Sequence, residues 1–151
     1  MRRLVIPALL LPGLASAAPA PARLGDYSLG AGPAFVVDRG EPGGGVTGEA
    51  NLLWRSLSLG VHARAAAVDG ELRPAAGIEL AYLGMVGVGA SVQGAGPSFD
   101  ALLAVPIPIY RWHETYLSFG WRPSWLLEGG GWVHEIALQL KWSSLLVPED
   151  F

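Results

Sequence analysis

Three histidines are the residues best suited to acid–base chemistry in this chain: His62, His113 and His134. A hydrolase needs a nucleophile, a base and an orienting group in mutual contact. Glu135 follows His134 directly, but adjacent residues of a strand point to opposite faces, so this carboxylate cannot orient that imidazole. The chain has no cysteine, and neither its acidic residues nor its glycines have the spacing of a calcium or phosphate loop. We predict no catalytic, cofactor-binding or metal-binding residue.

A second set of polar residues recurs inside otherwise apolar segments, separated by Gly, Ala and Ser. Residues two apart on a strand share a face, so this set lines the interior of a barrel if the opposite, apolar set faces lipid. The polar set comprises Glu49, Asn51, His62, Arg64, Arg73, Glu79, Gln93, Arg122, Glu135 and Lys141.

Acids and bases are nearly balanced in this polar set, with three glutamates against three arginines and one lysine. A buried charge without a partner costs several kcal/mol, and an eight-stranded interior is just wide enough for side chains to fill it. We therefore predict a salt-bridge plug. The alternative is a proton path or small-ion pore, which requires a continuous wet channel.

Alternation with a period of two runs through residues 27–142 and predicts strands. It is clearest in the last segment, where Glu135 and Lys141 fall on one face and the tryptophans at both ends fall on the other. We predict eight strands: Tyr27–Val37, Val46–Arg55, Leu57–Val68, Glu71–Tyr82, Met85–Gln93, Phe99–Arg111, Thr115–Ser124 and Trp132–Trp142.

Turn residues separate the predicted strands. Asp69-Gly70 is typical of a type I′ hairpin turn, in which both residues have positive φ. The glycine-rich stretches 38–45, 94–97 and 129–131 are predicted to be surface loops. Of these, Asp38–Gly45 is the best candidate to contact a protein partner, whose identity the sequence leaves unknown.

The N-terminus has the three regions of a secretory signal peptide. Arg2 and Arg3 are positive, an apolar run of eleven residues follows, and Ala15-Ser16-Ala17 is a small-residue cleavage site. Eleven apolar residues are too few to cross a bilayer as a helix, which needs about 20. We expect residues 1–17 to be removed, residues 18–26 to lead into the barrel, and residues 143–151 to form a C-terminal tail.

The composition differs from that of an ordinary soluble domain. Charged residues make up 15% of the chain and hydrophobic residues 51%, whereas charged residues are roughly 25% of a typical globular protein. Residues 18–151 carry no apolar stretch long enough for a spanning helix, so a closed barrel is the remaining way to satisfy every backbone group in lipid. The net charge of −3 provides no basic footprint, so we expect no nucleic-acid partner.

Aromatic residues recur about once per predicted hairpin, and the topology places them at one rim. They are Tyr27, Trp54, Tyr82, Tyr110 or Trp112, and Trp142, while Phe35, Trp125 and Trp132 fall near the opposite rim. Two aromatic belts are expected where a transmembrane barrel crosses the two interfaces of a bilayer.

From Tyr27 to Trp142, this pattern resembles the small eight-stranded outer-membrane β-barrels as a class, without a family-specific motif. The resemblance implies an all-β, eight-stranded, antiparallel, up-and-down transmembrane barrel in the cell outer membrane. It also implies both termini in the periplasm, with outer-membrane lipid and the outer-membrane assembly machinery as partners. Such barrels end on an aromatic residue that the machinery reads, whereas here Pro148-Glu149-Asp150 separates Phe151 from the last strand.

Strand six carries Pro106 and Pro108, which have no N–H to donate to a neighbouring strand. Because the two prolines are two residues apart, both missing N–H groups fall at the seam with the same neighbouring strand. If that neighbour is strand seven, Pro123 removes a further donor from this seam. A bulge is the structural interpretation. A lipid-binding or lipid-modifying barrel, in which a lipid tail enters laterally at this seam, is one alternative function. A soluble periplasmic lipocalin-like barrel, with its apolar face inward, is another.

Overall fold

The computed structural model describes residues 26–112 and 115–144, with residues 108–112 described by their backbone alone. Eight antiparallel strands form one closed barrel in which each strand pairs with its neighbours in sequence and the last pairs with the first. The strands are β1 (Asp26–Asp38), β2 (Glu41–Trp54), β3 (Leu57–Val68), β4 (Glu71–Tyr82), β5 (Val86–Gln93), β6 (Gly96–Trp112), β7 (Thr115–Leu126) and β8 (Trp132–Ser143). The predicted all-β, eight-stranded, antiparallel up-and-down barrel is confirmed. No helix in the described ranges is long and apolar enough to cross a membrane.

The strand registers fix the tilt of the barrel. Following paired residues from Ser28 on β1 through all eight strands returns to Asp38, ten residues further along β1. With a rise of about 3.3 Å per residue and about 4.8 Å between strands, this stagger corresponds to a tilt of about 40°. An eight-stranded barrel of this tilt has an interior that side chains can fill.

The barrel has two ends, which we call the upper and lower rims. Turns at Arg39-Gly40, Asp69-Gly70 and Gly94-Ala95 and the loop 127–131 form the upper rim. The lower rim contains the start of β1, the end of β8 and the turns after β2 and β4. Asp69 and Gly70 have φ values of 50° and 74°, as the predicted type I′ turn requires.

The structure corrects the predicted loop Asp38–Gly45. A two-residue turn follows Asp38, and Glu41 already begins β2, so three consecutive glycines (43–45) lie in a strand. Gly43 and Gly45 are needed for close packing, because a Cβ built on either one would collide with a carbonyl oxygen of β3, that of Ala67 or of Ala65. Composition suggested a flexible loop, but these glycines let neighbouring backbones approach. The long surface loop predicted over Asp38–Gly45 is therefore a short turn between two strands.

Several predictions concern parts of the chain outside the described residues. These are the signal peptide (1–17), the lead-in before Asp26, the turn at His113-Glu114 and the tail from residue 145, including Phe151. The side chains of Tyr110 and Trp112, predicted for the lower aromatic rim, also lie outside them.

Candidate functional site: the polar interior of the barrel

The interior of the barrel contains nearly all the polar residues that the alternating pattern placed there. Nine of the ten predicted residues are buried, each less than 9% exposed. Arg73 is the exception, because it lies at the upper rim with 27% of its side chain exposed and pairs with Glu71 at 2.6 Å. The nine buried residues are Glu49, Asn51, His62, Arg64, Glu79, Gln93, Arg122, Glu135 and Lys141.

Arg122 on β7 is the centre of the ion-pair network. Its two terminal nitrogens donate to Glu79 at 2.8 Å and to Glu135 at 3.3 Å. The carboxylate of Glu49 lies 3.7 Å from the same guanidinium. The three acids come from β4, β8 and β2, so one arginine ties together distant parts of the barrel wall.

Two branches extend from this centre towards the rims. Towards the lower rim, Glu49 accepts from Lys141 at 2.6 Å and from Asn51 at 3.1 Å. Towards the upper rim, Arg64 donates to Glu135 at 3.4 Å and to Gln93 at 3.0 Å. Each charged group of these branches has an opposite charge within 4 Å, as burial in a confined interior requires.

His62 lies between two carboxylates. Its Nδ1 is 3.7 Å from Glu79 and its Nε2 is 3.6 Å from Asp100, and all three side chains are at least 96% buried. A neutral imidazole carries a hydrogen on only one of these nitrogens, so the other faces a carboxylate oxygen without one. Nδ1 of His62 and Oδ2 of Asp100 have no hydrogen-bond partner among the described residues.

Asp100 and its serine partners are interior residues that the sequence interpretation missed. Asp100 accepts hydrogen bonds from Ser91 and Ser98, both at 3.1 Å, and Gln93 donates to Ser98 at 3.1 Å. Gln139 is a further buried residue that was not assigned. The available signal was parity, since Asp100 lies two residues before buried Leu102 on β6. The apolar residues on both faces of that strand concealed it.

Apart from Asp38, which lies at the upper rim and pairs with Arg39 and Arg73, the described interior has four carboxylates against three permanent cations. The acids are Glu49, Glu79, Asp100 and Glu135, and the cations are Arg64, Arg122 and Lys141.

An apolar cluster lies in the interior beneath the upper rim. Val36, Ala66, Val68, Leu126 and Val133 pack together there and are at most 2% exposed. Below this cluster, the cavity beside Leu102 and Arg122 is only about 10 Å³, roughly the space needed for one water molecule.

The outer wall has the opposite character. The exposed side chains of the strands are mainly leucine, valine, isoleucine, alanine and aromatic residues, and 29 large hydrophobic residues of the described part of the chain are exposed. Aromatic pairs lie at both rims: Tyr27 and Trp142 are in edge-to-face contact at 5.3 Å, and Trp125 and Trp132 at 5.2 Å. The barrel is therefore apolar outside and polar inside.

The seam between β6 and β7 is interrupted, as the prolines predicted. Ile107 pairs with Leu117, but the next pair is Arg111 with Tyr116, so residues 108–110 bulge out of the ladder. Pairing is also interrupted opposite Pro123. The bulge interpretation of strand six is confirmed.

The histidines are not brought together for catalysis in the described structure. His62 is in the interior and His134 is on the outer wall, paired with Pro123 and Val37. Among residues 26–112 and 115–144, no group of three or more His, Asp or Glu side chains could hold a metal ion.

Comparison with known proteins finds no matching family model, no matching curated protein and no matching solved structure.

Proposed function

We propose that this protein is a small integral β-barrel of a bacterial outer membrane, with a plugged lumen and a structural or interaction role. One observation carries the proposal: the wall is apolar on its outside and encloses a network of paired charges. A continuous apolar outer wall of this kind would be costly in water but favourable in lipid, where a closed barrel satisfies every backbone group.

The aromatic rims support the same location. Trp132 and Trp142 mark the upper and lower ends of β8 and lie ten residues apart. At a tilt of about 40°, ten residues span about 25 Å along the barrel axis. This matches the apolar band of about 25 Å that outer-membrane barrels present between two aromatic girdles.

The distribution of charge argues against a soluble lipocalin-like barrel. A barrel of that kind needs an apolar cavity for its ligand and a polar outer surface. Here Glu49, Arg122 and Glu135 occupy the inside, while Leu52, Leu72 and other aliphatic side chains cover the outside.

Cell fractionation tests the proposed location. The protein should be recovered with outer membranes, migrate as a compact band on mildly denaturing gels and shift on heating. Recovery as a freely soluble periplasmic protein would contradict the proposal.

For the plug, purified protein in a planar bilayer should show no steady conductance, because an apolar cluster and an ion-pair network fill the path. A stable single-channel current would contradict the plug while leaving the membrane location intact.

A further inference from the structure

The mouth of the barrel at the upper rim contains a cavity above the interior ion-pair network. Its volume is about 320 Å³, which lies at the lower end of the range for small-molecule sites. The turns after β1 and β3 form its walls, and one valine connects it to the apolar cluster beneath the rim. The lining residues are Asp38, Arg39, Glu41, Val68, Asp69 and Arg73.

Asp38 presents a largely buried carboxylate to this cavity. Only 9% of its side chain is exposed, and its Oδ1 accepts a hydrogen bond from Nε of Arg39 at 3.1 Å. Its Oδ2 lies 4.0 Å from Nη1 of Arg73, a distance longer than a hydrogen bond. This oxygen can therefore accept a hydrogen bond from a ligand in the cavity.

Two arginines bring donors to the same cavity. Arg73 donates to Glu71 through Nη2 at 2.6 Å, while its Nε is buried and has no hydrogen-bond partner in the described structure. Arg39 donates to Asp38 through Nε, and 49% of its side chain is exposed. Because a guanidinium has five N–H donors, both arginines keep N–H groups for a second carboxylate.

The charge around the cavity is negative overall. Four carboxylates surround two arginines, and they belong to Asp38, Glu41, Asp69 and Glu71. Asp38 and Glu71 pair with the arginines, so the other two carboxylates are available to a cation from outside. A simple anion would be repelled by this excess of negative charge.

We propose that this cavity is a binding site for a basic amino acid such as lysine. The carboxylate of the ligand accepts from N–H groups of Arg39 and Arg73, whose planar geometry suits a carboxylate. Its α-ammonium donates to Oδ2 of Asp38, and its side-chain ammonium lies beside Glu41 and Asp69. Its methylene groups cover the apolar floor of the cavity, as long charged side chains do on apolar surfaces.

The place of the cavity makes it a receptor site and not part of a channel. The start of β1 and the end of β8 lie at the lower rim, so a barrel with its termini in the periplasm opens the cavity to the cell exterior. This orientation, unlike the cavity itself, rests on the proposed function. The apolar cluster separates the cavity from the ion-pair network below, so the ligand is bound and not conducted.

The test is isothermal titration calorimetry of the refolded full barrel in micelles of dodecyl maltoside, an uncharged detergent. Lysine should bind saturably. Cadaverine, which is lysine without its carboxylate, should bind about ten-fold more weakly, because it loses hydrogen bonds between charged groups. Norleucine, which lacks the side-chain ammonium, should bind about two- to five-fold more weakly, the range of an exposed charge pair.

Asp69→Asn is the most specific variant, because asparagine also suits the positive φ of this turn. It should weaken lysine binding about two- to five-fold and leave norleucine binding unchanged. Glu128→Gln is the matched control, since it removes an acid from the loop 127–131 of the same rim, outside the cavity lining. It should leave both titrations unchanged.

Three results would overturn the site. The first is no saturable binding of lysine to a heat-modifiable barrel, and the second is equal binding of lysine and norleucine or of lysine and cadaverine. The third is an equal loss in Glu128→Gln and Asp69→Asn, which would show general attraction to an acidic rim. Because the titration is made in micelles, failure of the membrane location in cell fractionation would leave its result unaffected.

Discussion

Replacing Arg122 by methionine tests the interior network at its centre. Arg122 is 5% exposed and contacts three carboxylates, at 2.8, 3.3 and 3.7 Å. At an effective dielectric constant of about 20, each contact contributes about 4 kcal/mol. Removing the arginine also removes its own desolvation cost, which is several kcal/mol, but it leaves buried Glu79 without a permanent cation within 4 Å, while Glu49 and Glu135 keep Lys141 and Arg64. We expect a net loss of about 3–5 kcal/mol in the free energy of unfolding.

The assay is urea unfolding of the refolded barrel in detergent micelles, followed by tryptophan fluorescence. With an m-value of about 2 kcal/mol/M, the midpoint should fall by about 2 M. Arg55→Met is the control, because Arg55 lies in a turn and stacks over the exposed ring of Trp54. Its effect should stay below about 1 kcal/mol. Equal, small effects of the two substitutions would refute the view that paired charges hold the interior together.

Two further comparisons use neighbouring residues with opposite expectations. Asp100→Asn removes the excess acid and keeps an acceptor for Ser91, so the unfolding midpoint should change little or rise. Glu135→Gln should cost about 3 kcal/mol, because two arginines lose a partner. A larger loss for Asp100→Asn than for Glu135→Gln would contradict the charge count. Gly45→Val should destabilise the barrel by about 1–3 kcal/mol through collision with β3. Gly44→Ala should not, because its Cβ would lie 3.9 Å from the nearest atom. Equal gel shifts and unfolding midpoints for the two variants would contradict the close-packing role.

Most of the barrel could be predicted because its strands follow one repeating rule. Alternation with a period of two identifies both strand and face, so β3 and β4 have the predicted bounds and nine interior residues are where parity placed them. The Asp69-Gly70 turn was equally readable, since its positive φ values are a local property of the two residues.

The errors arose where a residue's role depends on a distant strand. Glycines 43–45 look like a loop locally, and the close approach of Ala67 and Ala65 on β3 explains Gly43 and Gly45 as strand residues. Asp100 belongs to the interior network because β3 and β5 bring His62 and Ser91 to it. The stacking of His134 against Trp121 on β7 likewise needs the register of β7 against β8, which no pattern within either strand specifies.

The most direct measurement of the central claim is the environment of the outer wall. The chain has no cysteine, so single cysteines can be placed at Leu59, Val61 and Ala63, three outward positions of β3, and spin-labelled in lipid vesicles. The account predicts that oxygen, which concentrates in hydrocarbon, relaxes all three labels strongly, while a water-soluble nickel chelate does not reach them. Labels that the nickel chelate relaxes freely at all three positions would contradict a lipid-facing wall.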